Sequence, residues 1–373
     1  MIEVDKIHVF FNGRKVGTMV PYKKYLAAFE YDKEWIADGF SISPLSLPLK
    51  TGVFVPKIDP FDGVFGVFAD SMPDGWGRLL VDRYLLKQGV NPQKIGNLTR
   101  LAIVGNSGMG GLTYEPDYHF EDTSSKKLDL DSIALQCAQI LKTDYSEDLD
   151  ELFRLGGSSG GARPKILTVI DGEEWMIKFP NSQDSKNIGK EEYEYSLCAK
   201  ACGLQMEETR LFPSKVCSGY FGTRRFDRYR TKEHGTGKRH MISVSGLLET
   251  SHRIPNLDYD ILMKLTLELT KDFAEVEKMF RLMCFNVFSH NRDDHAKNFT
   301  YIYHEEEMKW YCSPVYDLTY SYSIGGEHAT TVHGNGQNPD KKDLLEVAKG
   351  IGMNEKVANN IIFEIYEKVK EMI

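Results

Sequence analysis

A dense polar stretch, residues 288–300, contains the side chains whose types and spacing are best suited to chemistry. It lies between an apolar helical run at 279–288 and a β-like run at 299–303. Polar groups between two buried elements are costly unless they have partners or a task. Asp293 and Asn298 have the spacing of a protein-kinase catalytic loop, where the Asp accepts the proton of the attacking hydroxyl and the Asn holds Mg²⁺. Such a site needs a second metal-binding carboxylate downstream, and Asp317 follows a β-like run.

Other interpretations of this stretch stay open. Asp293 and its neighbours could form a solvated loop that caps the next element, because a short Asp-x-x-x-x-Asn match arises often by chance. A metal-dependent hydrolase is a second alternative, with Asp293, Asp294, His290 and His295 as ligands. The choice depends on whether the rest of the chain supplies the other parts of a phosphate site.

A glycine-rich segment at 155–163 precedes two apolar β-like runs, 166–170 and 175–179. Glycines let the backbone approach a phosphate closely, and successive amide N–H groups can cradle its oxygens. The segment does not match the Walker pattern, and a glycine loop before a hairpin is the order of a kinase N-lobe. A flexible Gly/Ser linker is the alternative. The residues predicted to bind ATP here are Ser158, Ser159, Gly160 and Gly161.

Lys178 lies inside the second β-like run, between two apolar residues. Burying a lysine there requires an anionic partner, which nucleotide phosphates would provide. A lysine pointing outward from an edge strand is equally consistent with the alternation. In kinases this lysine pairs with a glutamate of the next helix, here predicted over 187–202, and we expect Glu192 in that role. Phe226 follows the last N-lobe strand and is expected near the adenine.

Composition narrows the class of protein. A chain of 373 residues is long for one core and predicts two or three packed units. The net charge of −8 argues against non-specific nucleic-acid binding by the bulk surface. The six cysteines form no Cys-x-x-Cys pair, which favours reduced thiols in a cytosolic protein. Without a run of transmembrane length or a signal-peptide pattern, we expect a cytoplasmic protein with no membrane partner.

The chain order predicts three parts. Asn12-Gly13 between two apolar runs predicts a hairpin that opens a β-rich unit, and a break at 143–148 closes that unit. The glycine-rich residues 107–111 precede no helix start, so a loop between strands is predicted there. The predicted parts are a β-rich N-terminal domain at 1–150, a kinase N-lobe-like part at 151–228 and a helical C-lobe at 229–373. The predicted C-lobe helices are at 258–272, 275–289, 340–350 and 354–371.

Seven motifs, in this order, resemble the HipA family, the serine/threonine-protein-kinase toxins of bacterial toxin–antitoxin systems. They are Ser41-Ile-Ser-Pro-Leu-Ser-Leu-Pro-Leu49, Asp70-Ser-Met-Pro-Asp-Gly-Trp-Gly-Arg-Leu-Leu80, Gly160-Gly-Ala-Arg-Pro-Lys165, Trp175-Met-Ile-Lys178, Arg225-Phe-Asp-Arg228, Asp293-Asp-His-Ala-Lys-Asn298 and Ser313-Pro-Val-Tyr-Asp-Leu318. Each motif alone is weak, but their joint order is specific and covers almost the whole chain.

The resemblance implies an α+β, bilobal protein-kinase-like fold behind a β-rich N-terminal domain. It implies ATP and Mg²⁺ as cofactors and a protein substrate, which in some members is an aminoacyl-tRNA synthetase. It also implies a helix-turn-helix antitoxin, through which the complex contacts operator DNA. Members autophosphorylate a serine of the glycine loop, which corresponds to Ser158 here, with Ser159 beside it as the alternative.

The expected catalytic residues are Asp293 and His295, and the expected metal ligands are Asn298 and Asp317. Ordinary protein kinases have a lysine two residues after the catalytic Asp, where this chain has His295. A histidine can donate a hydrogen bond to a phosphoryl oxygen, although a bond that only braces the loop is the alternative. A catalytically inactive kinase-like binding or co-repressor module is the alternative for the whole protein.

Overall fold

The computed structural model describes residues 3–23, 25–118, 129–142, 149–231 and 235–373. The break predicted at 143–148 lies outside these ranges. Within them, no helix combines the length and the apolar character needed to cross a membrane.

The described residues form both strands and helices, and several strands follow one another near the start and in the middle of the chain. The strands are β1 (Ile7–Phe11), β2 (Arg14–Tyr22), β3 (Leu26–Tyr31), β4 (Val53–Phe54), β5 (Leu112–Glu115), β6 (Lys165–Ile170), β7 (Glu173–Lys178), β8 (Thr209–Phe212), β9 (Tyr220–Arg224), β10 (Arg228–Arg230), β11 (Thr236–Lys238), β12 (His240–Ser243), β13 (Leu257–Asp258), β14 (Thr300–His304), β15 (Lys309–Cys312) and β16 (Thr330–Thr331). The helices are α1 (Lys33–Asp38), α2 (Gly66–Ala69), α3 (Trp76–Lys87), α4 (Asn97–Val104), α5 (Leu130–Lys142), α6 (Leu149–Gly156), α7 (Ile188–Ala201), α8 (Val244–Leu247), α9 (Tyr259–Thr270), α10 (Phe273–Phe288), α11 (Lys341–Gly350) and α12 (Glu355–Met372).

The chain divides into two compact units. The first comprises Met1–Gly189, Arg210–Ile242 and Gly246–Thr250, and the second comprises Lys190–Thr209, Ser243–Ser245 and Ser251–Ile373. The first unit therefore holds both the N-terminal domain and most of the part predicted to be a kinase N-lobe. The predicted boundaries at 150 and 228 remain a prediction.

The two larger sheets of the first unit have five and four strands. One has the order β4-β3-β2-β1-β5, and its β1–β2 hairpin turns at Asn12 and Gly13, both with positive φ. The Asn-Gly pair tolerates this conformation, so the predicted hairpin is confirmed. The other sheet has the order β6-β7-β9-β8 and packs with α3, α5 and α6 around one apolar cluster. Within that cluster Tyr84 of α3 stacks on Phe153 of α6, with ring centroids 4.3 Å apart.

The second unit is mainly helical. Its long helix α10 packs against α9 and α12, and its buried face includes Phe280, Met283 and Phe285. Asp258 and Asp272 cap α9 and α10 through side-chain bonds to backbone N–H groups, which fixes where each helix begins. The antiparallel hairpin β14–β15 follows α10 in the chain. The four predicted C-lobe helices are confirmed to within a few residues.

One prediction about local structure is wrong, and one helix was not predicted. The glycine-rich residues 107–111 were expected between strands, but helix α4 precedes them and β5 follows. The helix α6 was not predicted, and it ends at Gly156, inside the glycine-rich segment. Both helices have only eight residues, and so short a run gives little periodicity from which to predict a helix.

Candidate active site

The loop after α10 begins with a sharp reversal of the chain. Ser289 caps the helix, and His290 adopts the left-handed conformation with φ +53°. Burial lowers the pKa of His290, with smaller contributions from the charges of Arg292 and His328, so the imidazole is more readily neutral. The chain then continues as residues 291–298, the predicted catalytic loop.

Within this loop the Asn298 side chain is hydrogen-bonded to the backbone of Asp293. The Asn298 Nδ2 donates to the Asp293 carbonyl oxygen at 2.7 Å, and the Asn298 N–H donates to the His295 carbonyl oxygen at 2.8 Å. The Asp293 side chain is 62% exposed, and one of its carboxylate oxygens lies 3.9 Å from the His295 Nε2. The loop therefore presents the solvent-facing Asp293 carboxylate beside the His295 imidazole. Hydrogen bonds to the backbone carbonyl oxygens of Asp293 and His295 hold Asn298 in place within the loop.

Asp317 is positioned next to this loop by its neighbour. The Tyr316 hydroxyl donates to the Lys297 carbonyl oxygen at 2.5 Å and lies 2.6 Å from the Thr300 hydroxyl. These bonds tie the residue before Asp317 to the residues on both sides of Asn298. Asp317 itself has φ +58°, an uncommon backbone conformation that is found in turns and at functional sites.

The oxygen atoms offered here suit Mg²⁺. Because the Asn298 Nδ2 is engaged with the loop backbone, its Oδ1 is the side-chain atom that a cation would take, and Asp317 adds a carboxylate. Mg²⁺ prefers a few oxygen ligands and keeps waters or substrate phosphates as the rest of its shell. Two protein ligands therefore fit a metal that is held together with a nucleotide.

The sequence did not indicate the role of Asp294, whose carboxylate is fully buried. It accepts hydrogen bonds from the Tyr259 hydroxyl at 2.9 Å, from the His328 Nδ1 at 3.0 Å and from the Thr330 N–H at 3.2 Å. Burial, followed by the nearby Asp294 charge, raises the pKa of Tyr259 well above its usual value, so this phenol remains a donor. These partners lie 35 positions before Asp294 and 34 and 36 positions after it, so no local sequence signal could have shown that they meet.

These contacts remove the ligand set of the hydrolase alternative. Asp294 is taken up by protein donors, while Asp293 and His295 face the loop surface. In the described ranges no three or more His, Cys, Asp or Glu side chains form a group placed to hold a metal. The four residues proposed as ligands therefore do not converge on one point.

The glycine-rich segment is held against the turn before α3. The Trp76 N–H donates to the Gly161 carbonyl oxygen at 2.8 Å, and the Trp76 indole N–H donates to the Lys165 carbonyl oxygen at 3.1 Å. A Cβ at Gly77 would overlap the Ser159 carbonyl oxygen, so the close approach requires glycine there. In this arrangement Ser158 is 7% exposed and Ser159 is fully buried.

Lys178 lies at the end of β7, the strand between β6 and β9. Its side chain is 8% exposed, so an outward-pointing lysine on an edge strand is ruled out. The Lys178 Nζ lies 5.7 Å from the centre of the Phe221 ring, within the range of a cation–π contact. Its cross-strand neighbour Lys165 donates to the Gly160 carbonyl oxygen at 2.6 Å, which joins the strand to the glycine loop.

Glu192 is the glutamate of α7 that is buried, at 2% exposure, whereas Glu194 is exposed. The helix register therefore agrees with the choice of Glu192 as the inward-facing acid. Lys178 belongs to the first unit and Glu192 to the second. Their pairing remains a prediction.

Phe226 lies in a buried charged motif that the sequence analysis did not explain. Arg225 and Arg228 both contact the Asp227 carboxylate, at 2.7 and 2.8 Å, and both donate to the Gly108 carbonyl oxygen. Burial favours a raised pKa for Asp227, but the two guanidinium groups outweigh it and hold the pKa below its usual value. The motif therefore fastens residues 107–111 to the strands that flank Phe226, which is itself 9% exposed.

Comparisons with known proteins agree with this architecture. The HipA N-terminal domain family matches residues 7–115, and the HipA-like C-terminal domain family matches residues 157–373. The "Putative kinase Y4dM" of Sinorhizobium fredii is 23% identical over 99% of this chain and 91% of that protein.

Solved structures are similar as well. A chain from the Shewanella oneidensis MR-1 complex of HipA, HipB and operator DNA superposes with a TM-score of 0.74 at 15% identity, covering 98% of this chain and 89% of that chain. The Helicobacter pylori proinflammatory kinase CtkA gives a TM-score of 0.37 at 13% identity, covering 56% of this chain and 89% of that one. The first superposition confirms the predicted α+β, HipA-like fold with its β-rich N-terminal domain. Since the C-terminal domain family alone covers more than half of the sequence, this chain belongs to the HipA family.

Proposed function

We propose that this protein is a Mg-ATP-dependent serine/threonine protein kinase that acts as the toxin of a toxin–antitoxin pair. The observation that carries the proposal is the arrangement of Asp293, Asn298 and Asp317 in the second unit. An exposed carboxylate, an amide oxygen and a second carboxylate are tied together by short bonds through Tyr316 and the loop backbone. Phosphoryl transfer needs little more from a protein than such positioning and charge.

Each residue of the loop has a role in this proposal. Asp293 orients the substrate hydroxyl and accepts its proton, for which solvent exposure gives the substrate access. Asn298 and Asp317 hold Mg²⁺, which when bound neutralises charge on the nucleotide phosphates. His295, beside Asp293, donates a hydrogen bond to a phosphoryl oxygen in place of the lysine of ordinary protein kinases.

In this proposal most of the nucleotide-binding residues come from the first unit, and Glu192 comes from the second. Lys178 binds the phosphates, Glu192 of α7 pairs with it, and Phe226 lies near the adenine. Ser158, Ser159, Gly160 and Gly161 cover the triphosphate. The burial of Lys178 inside a central strand supports a task for its charge, because a lysine is rarely buried without an anionic partner.

Autophosphorylation at Ser158, with Ser159 as the alternative, is part of the proposal. A phosphate carries roughly −1.5 to −2 charge at pH 7. Placing it at a buried position costs desolvation energy and brings it close to the negative charges of the ATP phosphates. Both serines are buried where the loop meets the turn at Asp74 and Trp76. We therefore propose that phosphorylation holds the loop away from this position and silences the kinase.

The proposed partners are a helix-turn-helix antitoxin and a cellular protein substrate, of which an aminoacyl-tRNA synthetase is a candidate. The Shewanella oneidensis complex contains HipA, HipB and operator DNA, which supports an antitoxin partner for a protein of the same fold. The net charge of −8 supports DNA contact through the partner rather than through the bulk surface of this chain.

One experiment tests the proposal. Cells expressing the wild-type protein or Asp293→Asn are compared by quantitative phosphoproteomics, with sites assigned to serine, threonine or tyrosine. The proposal expects a small set of serine or threonine sites that depend on Asp293, including one in residues 157–161 of the protein itself. If the two phosphoproteomes are identical, and both proteins bind the antitoxin equally well, the protein would instead be identified as a catalytically inactive binding module.

A further inference from the structure

The segment that follows Asp317 is fastened to the catalytic loop along its length. The Ser321 N–H donates to the His290 carbonyl oxygen at 3.1 Å, and the Ala329 N–H donates to the Arg292 carbonyl oxygen at 3.1 Å. At the far end β16 pairs in parallel with β13, the strand that leads into α9. The segment 318–331 therefore begins and ends on the same loop that carries Asp293.

Asp294 is the centre of this attachment. Its carboxylate accepts from His328 and from the Thr330 N–H, and its carbonyl oxygen accepts from the Thr330 hydroxyl at 2.5 Å. Asp294, His328 and Thr330 are 1%, 4% and 0% exposed. Three bonds from one buried residue thus hold the end of the segment.

The attachment continues into the helices below. The Tyr259 hydroxyl, which donates to Asp294, accepts from the Asn286 Nδ2 at 2.9 Å. The Asn286 Oδ1 in turn accepts from the Asn291 Nδ2 at 2.9 Å. The chain of bonds therefore joins α9, α10, the catalytic loop and the segment 328–330 in one buried network.

A buried carboxylate is costly, so its retention in the catalytic loop calls for a reason. Kinase activation segments are commonly ordered by phosphorylation, because an added phosphate pairs with an arginine of the catalytic loop. Here the negative group is built into the loop as Asp294, and the donors of the segment, His328 and Thr330, come to it. The loop thus supplies the negative group and the segment supplies the donors, which is the reverse of the contact between a segment phosphate and a loop arginine. Such a contact requires no phosphate on the segment.

We propose that Asp294 is a positioning residue that holds the segment 318–331 in its working place against the catalytic loop without phosphorylation of that segment. The proposal rests on the proposed kinase function for its meaning in catalysis. It assigns regulation to other parts of the protein, because the hydroxyl residues of the segment are not required as phosphate acceptors. These are Thr319, Tyr320, Ser321, Tyr322, Ser323, Thr330 and Thr331.

The test compares His328→Ala and Thr330→Val with a matched control, His333→Ala. His333 lies two residues beyond the segment and also contacts an aspartate, Asp260, at 2.8 Å, but this pair is exposed. Full-length proteins are compared by hydrogen–deuterium exchange of peptides covering 318–331, by nucleotide Kd, and by kcat and KM for phosphoryl transfer.

We expect faster exchange across 318–331 in His328→Ala and in Thr330→Val, with no change in His333→Ala. The kcat should fall by about 10²-fold in His328→Ala, the size expected from a misplaced catalytic group, with nucleotide Kd within about twofold of wild type. His328→Asn, which retains a side-chain donor, should recover part of both effects. If His328→Ala does not fold, Thr330→Val carries the test, because it removes one hydroxyl and little volume.

Unchanged exchange of 318–331 in folded His328→Ala or Thr330→Val would overturn the proposal. So would exchange that rises while kcat per folded molecule stays at the wild-type level, since the network would then serve stability alone. Loss of wild-type activity after phosphatase treatment, or a required phosphate on 318–331 by mass spectrometry, would overturn it as well. If the wild type transfers no phosphate at all, the kinase proposal fails, whereas the exchange data still report on the attachment.

Discussion

Two adjacent carboxylates of the catalytic loop have opposite surroundings. The Asp293 side chain is 62% exposed, and the Asp294 side chain is fully buried with four protein donors around the residue. A carboxylate that reacts with an incoming hydroxyl must be reachable, whereas one that fixes a loop must be enclosed. The difference in exposure therefore separates a proposed chemical role for Asp293 from a positioning role for Asp294.

Asp293→Asn should abolish phosphoryl transfer while the protein stays folded. The amide has nearly the same shape but cannot accept the proton, and general-base assistance contributes about 10²–10⁴-fold. Because the side chain is largely exposed, the thermal midpoint should be unchanged. Transfer from radiolabelled ATP measures the loss, and Glu306→Gln, at the turn of the β14–β15 hairpin, is the matched control. Wild-type rates in Asp293→Asn would refute the assignment of the base.

Asn298→Ala and Asp317→Asn should each weaken nucleotide binding only when Mg²⁺ is present. Each change removes or weakens one of two proposed oxygen ligands, and Mg²⁺ depends on few, well-placed ligands. Calorimetric titration with a non-hydrolysable ATP analogue, with and without Mg²⁺, separates metal-dependent binding from the rest. Lys309→Ala on β15 is a control outside the loop. Equal affinities in all variants would contradict the metal site.

At the scale of elements, the position of the glycine-rich segment depends on the turn before α3. Trp76 donates to the segment through both its backbone and its indole, and Gly77 lies against the Ser159 carbonyl oxygen. These residues belong to the motif at 70–80, one of the seven that resemble motifs of the HipA family. The motif thus has a physical reason, since it forms the surface on which residues 159–165 rest.

Gly77→Ala should displace the glycine-rich segment. The added methyl would overlap the Ser159 carbonyl oxygen, and overpacking of this kind costs about 1–3 kcal/mol. We expect faster proteolysis within 157–163 and weaker ATP binding, measured by limited digestion and by calorimetry. Gly96→Ala, where an added Cβ meets open space and φ is −70°, is the control for glycine replacement as such. The same digestion pattern in wild type and Gly77→Ala would show that the turn does not hold the segment.

The sequence predicted the elements whose determinants are local. The Asn12-Gly13 hairpin and the helices α9 and α10 follow from turn chemistry, caps and apolar periodicity, and each lies close to its predicted place. The burial of Glu192 rather than Glu194 also follows from helix register. The Asp294 network could not be predicted, because it joins residues 259, 294 and 328 through tertiary packing alone. The roles of the predicted site residues remain predictions.

At the scale of the whole molecule, stability in acid should depend on a buried histidine of the first unit. His240 donates through its Nε2 to the Ile42 carbonyl oxygen at 2.8 Å and packs edge-on against Phe11. Burial lowers the pKa of His240 to about 4, and the bond to Ile42 offsets this only in part. The imidazole is therefore neutral in the folded protein at neutral pH.

The sign of the effect follows from the two states of His240. Between the ordinary histidine value of 6.5 and about 4, the unfolded chain binds a proton that the folded chain does not. Stability should therefore fall as the pH drops through this window, by an amount on the order of 3 kcal/mol at most. Asp227 affects stability in a different pH range. Because its pKa is lowered in the folded protein, its contribution to the free energy of unfolding is lost only as the pH falls below the ordinary value of 3.8.

His240→Gln should flatten the loss of stability between pH 6.5 and pH 4, because glutamine retains an N–H donor and does not titrate. Urea unfolding followed by tryptophan fluorescence at half-unit pH steps measures the slope. His333→Gln serves as the matched control, since the hydrogen bond and charge of Asp260 raise the pKa of His333. The contribution of His333 is present below pH 6.5 and is lost as the pH rises through its raised pKa, so its removal should leave the acid slope in place. An unaltered acid slope in His240→Gln would show that His240 does not govern the acid stability of this protein.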